Sequence, residues 1–349
     1  MILTLSARCL RSMLLPPAKG KRSALDILDL PKFTRETLGL SGVNLSTDLL
    51  VGADRARLEN IRERADKASC ACLLLVEHEA QAFGHSDESK VAGAVKRARA
   101  VVEAAQILGC SAAAIKVAAP NDEAAMARVA AALKPVVERA EKLDINLLIS
   151  PHDGLTAKPE RVTDLLKKVG GFRIGTYPDF EVASQSEDPV AYLHRLTPYA
   201  TAVCAATVRL LDQPLPPPKP AKQDNKKLAA SPAAPAGGKK KTSSSEEDLE
   251  DAMADIADVD DDEDEALDDA ELDELERMID EAIDDDAPPP LVAMQHQPYD
   301  LRPLVAAIAN VGFDGPLSLE YRGTGDLTEA LTQSRDTFLA LLAEQKRGV

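Results

Sequence analysis

Short apolar runs rich in β-forming residues begin at positions 2, 42, 70, 112, 145, 172, 200 and 316, and this recurrence limits the fold more than anything else in the chain. The predicted strands are 2–7 (ILTLSA), 42–47 (GVNLST), 70–77 (CACLLLVE), 112–118 (AAAIKVA), 145–150 (INLLIS), 172–177 (FRIGTY), 200–207 (ATAVCAAT) and 316–321 (PLSLEY). Between most of them lie helical patterns. Residues 89–108 place Val91, Val95, Ala98, Val102 and Ala105 at three- and four-residue spacing, and 122–142 do the same with Met126, Val129, Leu133, Val136 and Val137. Asp122 is placed to cap the second helix, Pro135 to bend it, and Gly109 to stop the first.

Successive starts lie 40, 28, 42, 33, 27, 28 and 116 residues apart. Setting aside the 78 residues 213–290 reduces the last interval to 38. Eight near-equal β-α units predict an α/β fold, the eight-stranded parallel (β/α)8 TIM barrel, whose usual size is about 250 residues. A doubly wound open sheet would need a Gly-rich turn after its first strand, and Arg-Cys-Leu-Arg follows Ala7 instead. The first 25 residues carry five bases and no acid, as a transit peptide does. The strand count favours Ile2–Ala7 as the first barrel strand.

The barrel is expected over 1–212 and 291–349, with an insertion at 213–290 after strand seven. The net charge of −17 belongs to that insertion, which holds 25 acids and 8 bases; the rest of the chain is balanced at 33 of each. Its first half is rich in Pro and Lys (PLPPPKP, then Lys239–Lys241). Residues 246–286 carry 24 acids and a single base, Arg277. Such composition predicts a mostly disordered acidic region with marginal helices, either a solvated linker or a docking segment for a basic partner. A neutral barrel lacks the basic face that nucleic acid requires. No run of about 20 apolar residues exists to span a membrane. Five irregularly spaced cysteines suit reduced thiols in the cytoplasm.

Catalytic groups in such barrels stand at the C-terminal strand ends. The candidates are therefore Glu77 and His78 (strand three), Lys116 (four), Ser150 and His152 (five), Asp179 and Glu181 (six), Cys204 (seven) and Glu320 (eight). Asp179 and Glu320, with His152, form an oxygen-rich set for a hard divalent ion. Glu320, flanked by apolar residues, is a candidate general base. His85, His194 and His296 are expected on loops or helix surfaces.

Three segments resemble the sugar phosphate isomerase/epimerase family, the xylose isomerase-like TIM barrels related to apurinic endonucleases. They are Ile149-Ser-Pro-His-Asp-Gly-Leu-Thr156 with Pro159–Leu166, Gly175-Thr-Tyr-Pro-Asp179, and Tyr299–Pro303 leading through Gly312-Phe-Asp-Gly-Pro-Leu-Ser-Leu-Glu-Tyr321. The resemblance implies a divalent metal (Mn, Mg or Zn) and a pair of glutamates moving a proton between adjacent carbons of a sugar or polyol. Carried over by position, Asp179 and Glu320 stand as metal ligands and Glu320 and His152 as catalytic groups; His78 and Lys116, at their strand ends, are the candidate substrate contacts. Ser150 replaces a ligand Glu on strand five, and Cys204 or Ala202 stands where strand seven has a ligand His. Two of four ligand positions are thus substituted. The chain reads either as a metal-assisted isomerase or epimerase whose activity has been altered or lost, or as a non-catalytic scaffold barrel whose charged insertion docks a partner. Cleavage of DNA at abasic sites, known among relatives, is disfavoured by the neutral barrel and the few scattered His.

Overall fold

A computed structural model describes residues 1–16, 21–216 and 291–347. Eight parallel strands follow the predicted order: β1 (Ile2–Ser6), β2 (Gly42–Ser46), β3 (Ala71–Gln81), β4 (Ala112–Val117), β5 (Asn146–Ser150), β6 (Ile174–Thr176), β7 (Val203–Thr207) and, last in the chain, β10 (Pro316–Tyr321). They pair in the order β6-β5-β4-β3-β2-β1-β10-β7. Single parallel bridges, Thr176 to Ala200 and Asp179 to Cys204, join β6 to β7 and close the cylinder. The fold is a TIM barrel. β1 pairs with both β2 and β10, so Ile2–Ser6 is an integral stave.

The helices form where the apolar periodicity places them. Glu88–Leu108 is capped by Asp87, whose carboxylate accepts from the Ser89 N–H at 2.9 Å. It ends at Gly109, whose φ of 79° is the left-handed conformation that favours glycine. Glu123–Lys142 is capped by Asp122, which accepts from the Ala125 N–H at 2.7 Å, and runs unbroken through Pro135. Its inner face buries Met126, Val129, Leu133, Val136 and Val137. Each such side chain contributes about 1.5–3 kcal/mol relative to an exposed position.

Inside the cylinder the residues are small: Ala112, Ala114, Ala202, Cys204 and Ala206 pack with Leu74, Val76, Leu148 and Tyr177. A buried polar layer lies beside them. Asn44 Nδ2 donates to Thr4 Oγ1 at 2.8 Å and to Ser318 Oγ at 2.7 Å. Burying these groups would cost more than it returns without such partners.

Two features depart from the sequence expectation. Strand β3 runs four residues past Glu77 and is irregular: Val76 pairs with Ala114, but Ala80 pairs with Lys116, so two extra residues bulge between them. After β7 the chain forms an antiparallel hairpin, β8 (Arg209–Pro214) with β9 (Met294–Gln297). The hairpin takes His296 off the surface where it was expected. Its Nε2 accepts from the Val208 N–H at 2.8 Å. Its ring packs edge-on against Tyr299, with centroids 4.4 Å apart. The expected insertion begins within this hairpin, and from residue 217 to 290 it lies outside the described residues, as do its predicted helices. No helix among the described residues is long and apolar enough to cross a membrane.

Candidate functional site

Side chains alternate along a strand, so residues 318, 320 and 322 of β10 and its extension face the barrel axis, as do 4, 6 and 8 at the other side of the same seam. Glu320 is 4 % exposed and accepts from Ser6 Oγ at 2.7 Å through Oε2. Its Oε1 accepts from Nε of Arg322 at 2.8 Å. The same guanidinium reaches past the end of β7 to the end of β6. Its Nη2 donates to Asp179 Oδ2 at 2.6 Å, its Nη1 to Asp179 Oδ1 at 3.3 Å and to Glu181 Oε2 at 2.5 Å. Nη2 also lies 3.4 Å from Cys204 Sγ. Arg322 thus gathers Asp179, Glu181 and Glu320 around one fixed positive charge. Charge-assisted bonds of this kind are about twice as strong as neutral ones.

Asp179 has a second occupation. It is the N-cap of the short helix Phe180–Ser184, and Oδ1 accepts from the backbone N–H groups of Glu181 at 2.9 Å and Val182 at 3.2 Å. Both oxygens are therefore engaged before any ligand arrives. Burial alone would raise the pKa of Glu320, but Arg322 and the Ser6 hydroxyl reverse the effect and hold it below the usual carboxylate range.

The expected metal-ligand set does not fit a divalent ion. Asp179 and Glu320 are joined through Arg322. Ser150 brings a neutral hydroxyl, 3 % exposed and without a hydrogen-bond partner. Burial, reinforced by Asp179 and Glu320, pushes the Cys204 thiol well above its normal pKa, and its Sγ already faces the Arg322 guanidinium at 3.4 Å. Among the described residues no group of three or more His, Cys, Asp or Glu side chains is gathered to hold a metal. The physical reason is simple: a guanidinium lies within hydrogen-bonding distance of the carboxylates a metal would need.

The remaining candidates divide. Glu77 points out of the mouth; it is 2 % exposed, and Arg97 on the helix Glu88–Leu108 pairs with it at 2.6 Å. His85 lies in the turn before that helix, where Nδ1 accepts from the Asp87 N–H at 2.9 Å. His194 is exposed on the helix Pro189–Leu196. His152 is half-buried on the loop after β5, and its carbonyl accepts from Thr156 Oγ1 at 3.2 Å.

His78, in the bulge of β3, and Lys116, on β4, do share the mouth. Burial and the neighbouring Arg8 push the pKa of His78 down to about 4, and the same two causes lower that of Lys116. Arg8, just past β1, donates from Nη1 to His78 Nδ1. Sequence reasoning missed Arg8 and Arg322. The signal was present: each stands two residues beyond an inward-facing position, Ser6 and Glu320.

The family model for the xylose isomerase-like TIM barrel matches residues 35–206. No curated protein matches the sequence. Among solved structures, that of an L-ribulose 3-epimerase superposes with a TM-score of 0.63 at 12 % identity, covering 99 % of this chain and 96 % of the other. A structure described as "IOLI protein with a binding zinc atom" gives 0.60 at 12 %, covering 99 % of each. D-psicose 3-epimerase from Clostridium cellulolyticum H10, bound to D-tagatose, gives 0.59 at 9 %, again covering 99 % of each. At such identities these likenesses speak to the fold. With eight parallel staves of its own and the family model matched across six of them, this chain has the xylose isomerase-like TIM-barrel fold.

Proposed function

We propose that this chain is a sugar isomerase/epimerase-like barrel that binds a small sugar or polyol at its mouth without a metal ion, the metal-assisted proton transfer having been lost. The observation that carries this reading is Arg322, whose guanidinium pairs with both Asp179 and Glu320. Proton exchange at a sugar carbon needs a base with a free lone pair beside the substrate, and a second group on the opposite face. Glu320 is held as an ion pair with Arg322, and Ser150 stands where the second carboxylate would be. His152, on its loop, is left as a contact for ligand hydroxyls, and His78 and Lys116 line the same mouth. The sugar ligand is suggested by structural neighbours described as an L-ribulose 3-epimerase and as a D-psicose 3-epimerase with D-tagatose. Five unpaired cysteines suit work in the reducing cytoplasm.

The test is solvent exchange. Incubated in D2O with D-psicose, D-tagatose or L-ribulose and excess Mn2+, the protein should introduce no deuterium at C3 by NMR. Ketose binding, followed by calorimetry, should be the same with and without chelator. Deuterium incorporation that depends on the metal would refute the proposal.

A further inference from the structure

The mouth brings together charges of both signs. Its carboxylates, Asp179, Glu181 and Glu320, are all turned toward Arg322. The rest of the rim, built from the ends of β1, β3, β4 and β5, presents donors with little to donate to. Arg8 meets an imidazole rather than a carboxylate. A guanidinium has no acceptor, so His78 Nδ1 must accept and the ring proton sits on Nε2. That Nε2–H is buried and has no partner. Lys116 is half-buried and forms no ion pair among the described residues. Ser150, its register partner on β5, is 3 % exposed with an unpartnered hydroxyl. A buried donor left without an acceptor costs about 1–3 kcal/mol, so the His78 Nε2–H and the Ser150 hydroxyl, flanked by half-buried Lys116 and exposed Arg8, call for a group rich in lone pairs.

We propose that Arg8, His78, Lys116 and Ser150 form a subsite for an oxyanion, a phosphate or carboxylate carried by the ligand. A neutral hydroxyl could answer one of these donors but would bring no charge opposite to that of Arg8 and Lys116. A tetrahedral or planar oxyanion offers enough oxygens for all four and supplies the opposite charge. Room for the rest of the ligand adjoins Arg8: a cavity of about 430 Å3 bounded by Ser12, Glu320, Arg322, Gly323 and Gly325. That volume falls within the range of small-molecule sites. This inference rests on the reading of the mouth as a ligand site and narrows its occupant to an acidic or phosphorylated polyol.

Calorimetric titration of the full chain with D-ribose 5-phosphate, D-gluconate, D-ribose and inorganic phosphate tests it. At least one of the two charged polyols should bind about tenfold or more tighter than ribose, and the one that does identifies the oxyanion. Raising the NaCl concentration should shrink the advantage. Arg8→Gln and Lys116→Met should each bring the charged polyol's affinity toward that of ribose, while Lys167→Met on an outer helix should change nothing. Equal binding of ribose and both charged polyols overturns the subsite and leaves the sugar reading standing. Inorganic phosphate bound through Arg8 and Lys116, with ribose unbound, supports the subsite and contradicts the sugar reading. An advantage that survives both substitutions, or no binding by any of the four, overturns the subsite.

Discussion

Replacing Arg322 with methionine is expected to lower the melting temperature by on the order of 10 °C. Methionine fills much of the same volume but leaves Glu320 and Asp179, 5 % and 12 % exposed as side chains, without their cation. Removing one partner of a buried ion pair typically costs about 3–5 kcal/mol, because the uncompensated charge remains. The three carboxylates would then repel one another across a space that a cation can enter. Mn2+ or Zn2+ should therefore restore much of the lost stability in Arg322→Met while leaving the native protein's melting temperature unmoved. Adding Glu320→Gln to Arg322→Met should recover stability without metal. A methionine variant as stable as the native chain would mean that the guanidinium does not hold these groups.

The second large effect is on pH. His78 has a folded pKa of about 4, against an ordinary value near 6.5, because burial and Arg8 disfavour its charged form. The unfolded chain thus takes up a proton that the folded one refuses. The resulting stability is fully present above about pH 6.5 and is lost as the pH falls toward 4. Within that window the slope approaches about 1.4 kcal/mol per pH unit, one proton's worth. His78→Gln should flatten it, as seen by urea unfolding at a series of pH values. Glu320 acts lower: its depressed pKa gives stability present above its ordinary value and lost as pH falls through the folded one. An unchanged slope in His78→Gln would show that His78 is not the group refusing the proton.

Much of the fold was readable because it rests on local periodicity. The eight strands, the caps at Asp122 and Gly109 and the inward faces of the long helices follow from period-two and period-3.6 patterns within short windows. What was not readable depends on partners far apart in the chain. The β8–β9 hairpin pairs Leu210 with His296 across the acidic segment, and no local pattern marks His296 as buried. The bulge that turns His78 into the mouth and Glu77 out of it depends on a register with β4 that the alternation of β3 alone does not reveal.

The site was half legible. The family resemblance drew attention to ligand positions, and Asp179 and Glu320 do come together at the mouth. The same focus passed over the residue that joins them. Arg322 lies one strand period beyond Glu320, and Arg8 one period beyond Ser6. Reading each strand end as a face, instead of as a single residue, would have found both. Asp179 also had an ordinary explanation in the sequence, since an Asp before Phe-Glu-Val-Ala-Ser is a helix N-cap.

An arginine occupies the electrostatic centre at which the family resemblance implies a metal. Equilibrium dialysis of the full-length native protein against Mn2+ and Zn2+, with metal content measured alongside Arg322→Met, tests it most directly. The expected result is little or no metal on the native chain and a stoichiometric ion on the variant. A stoichiometric ion on the native chain, lost on Asp179→Ala, would contradict it.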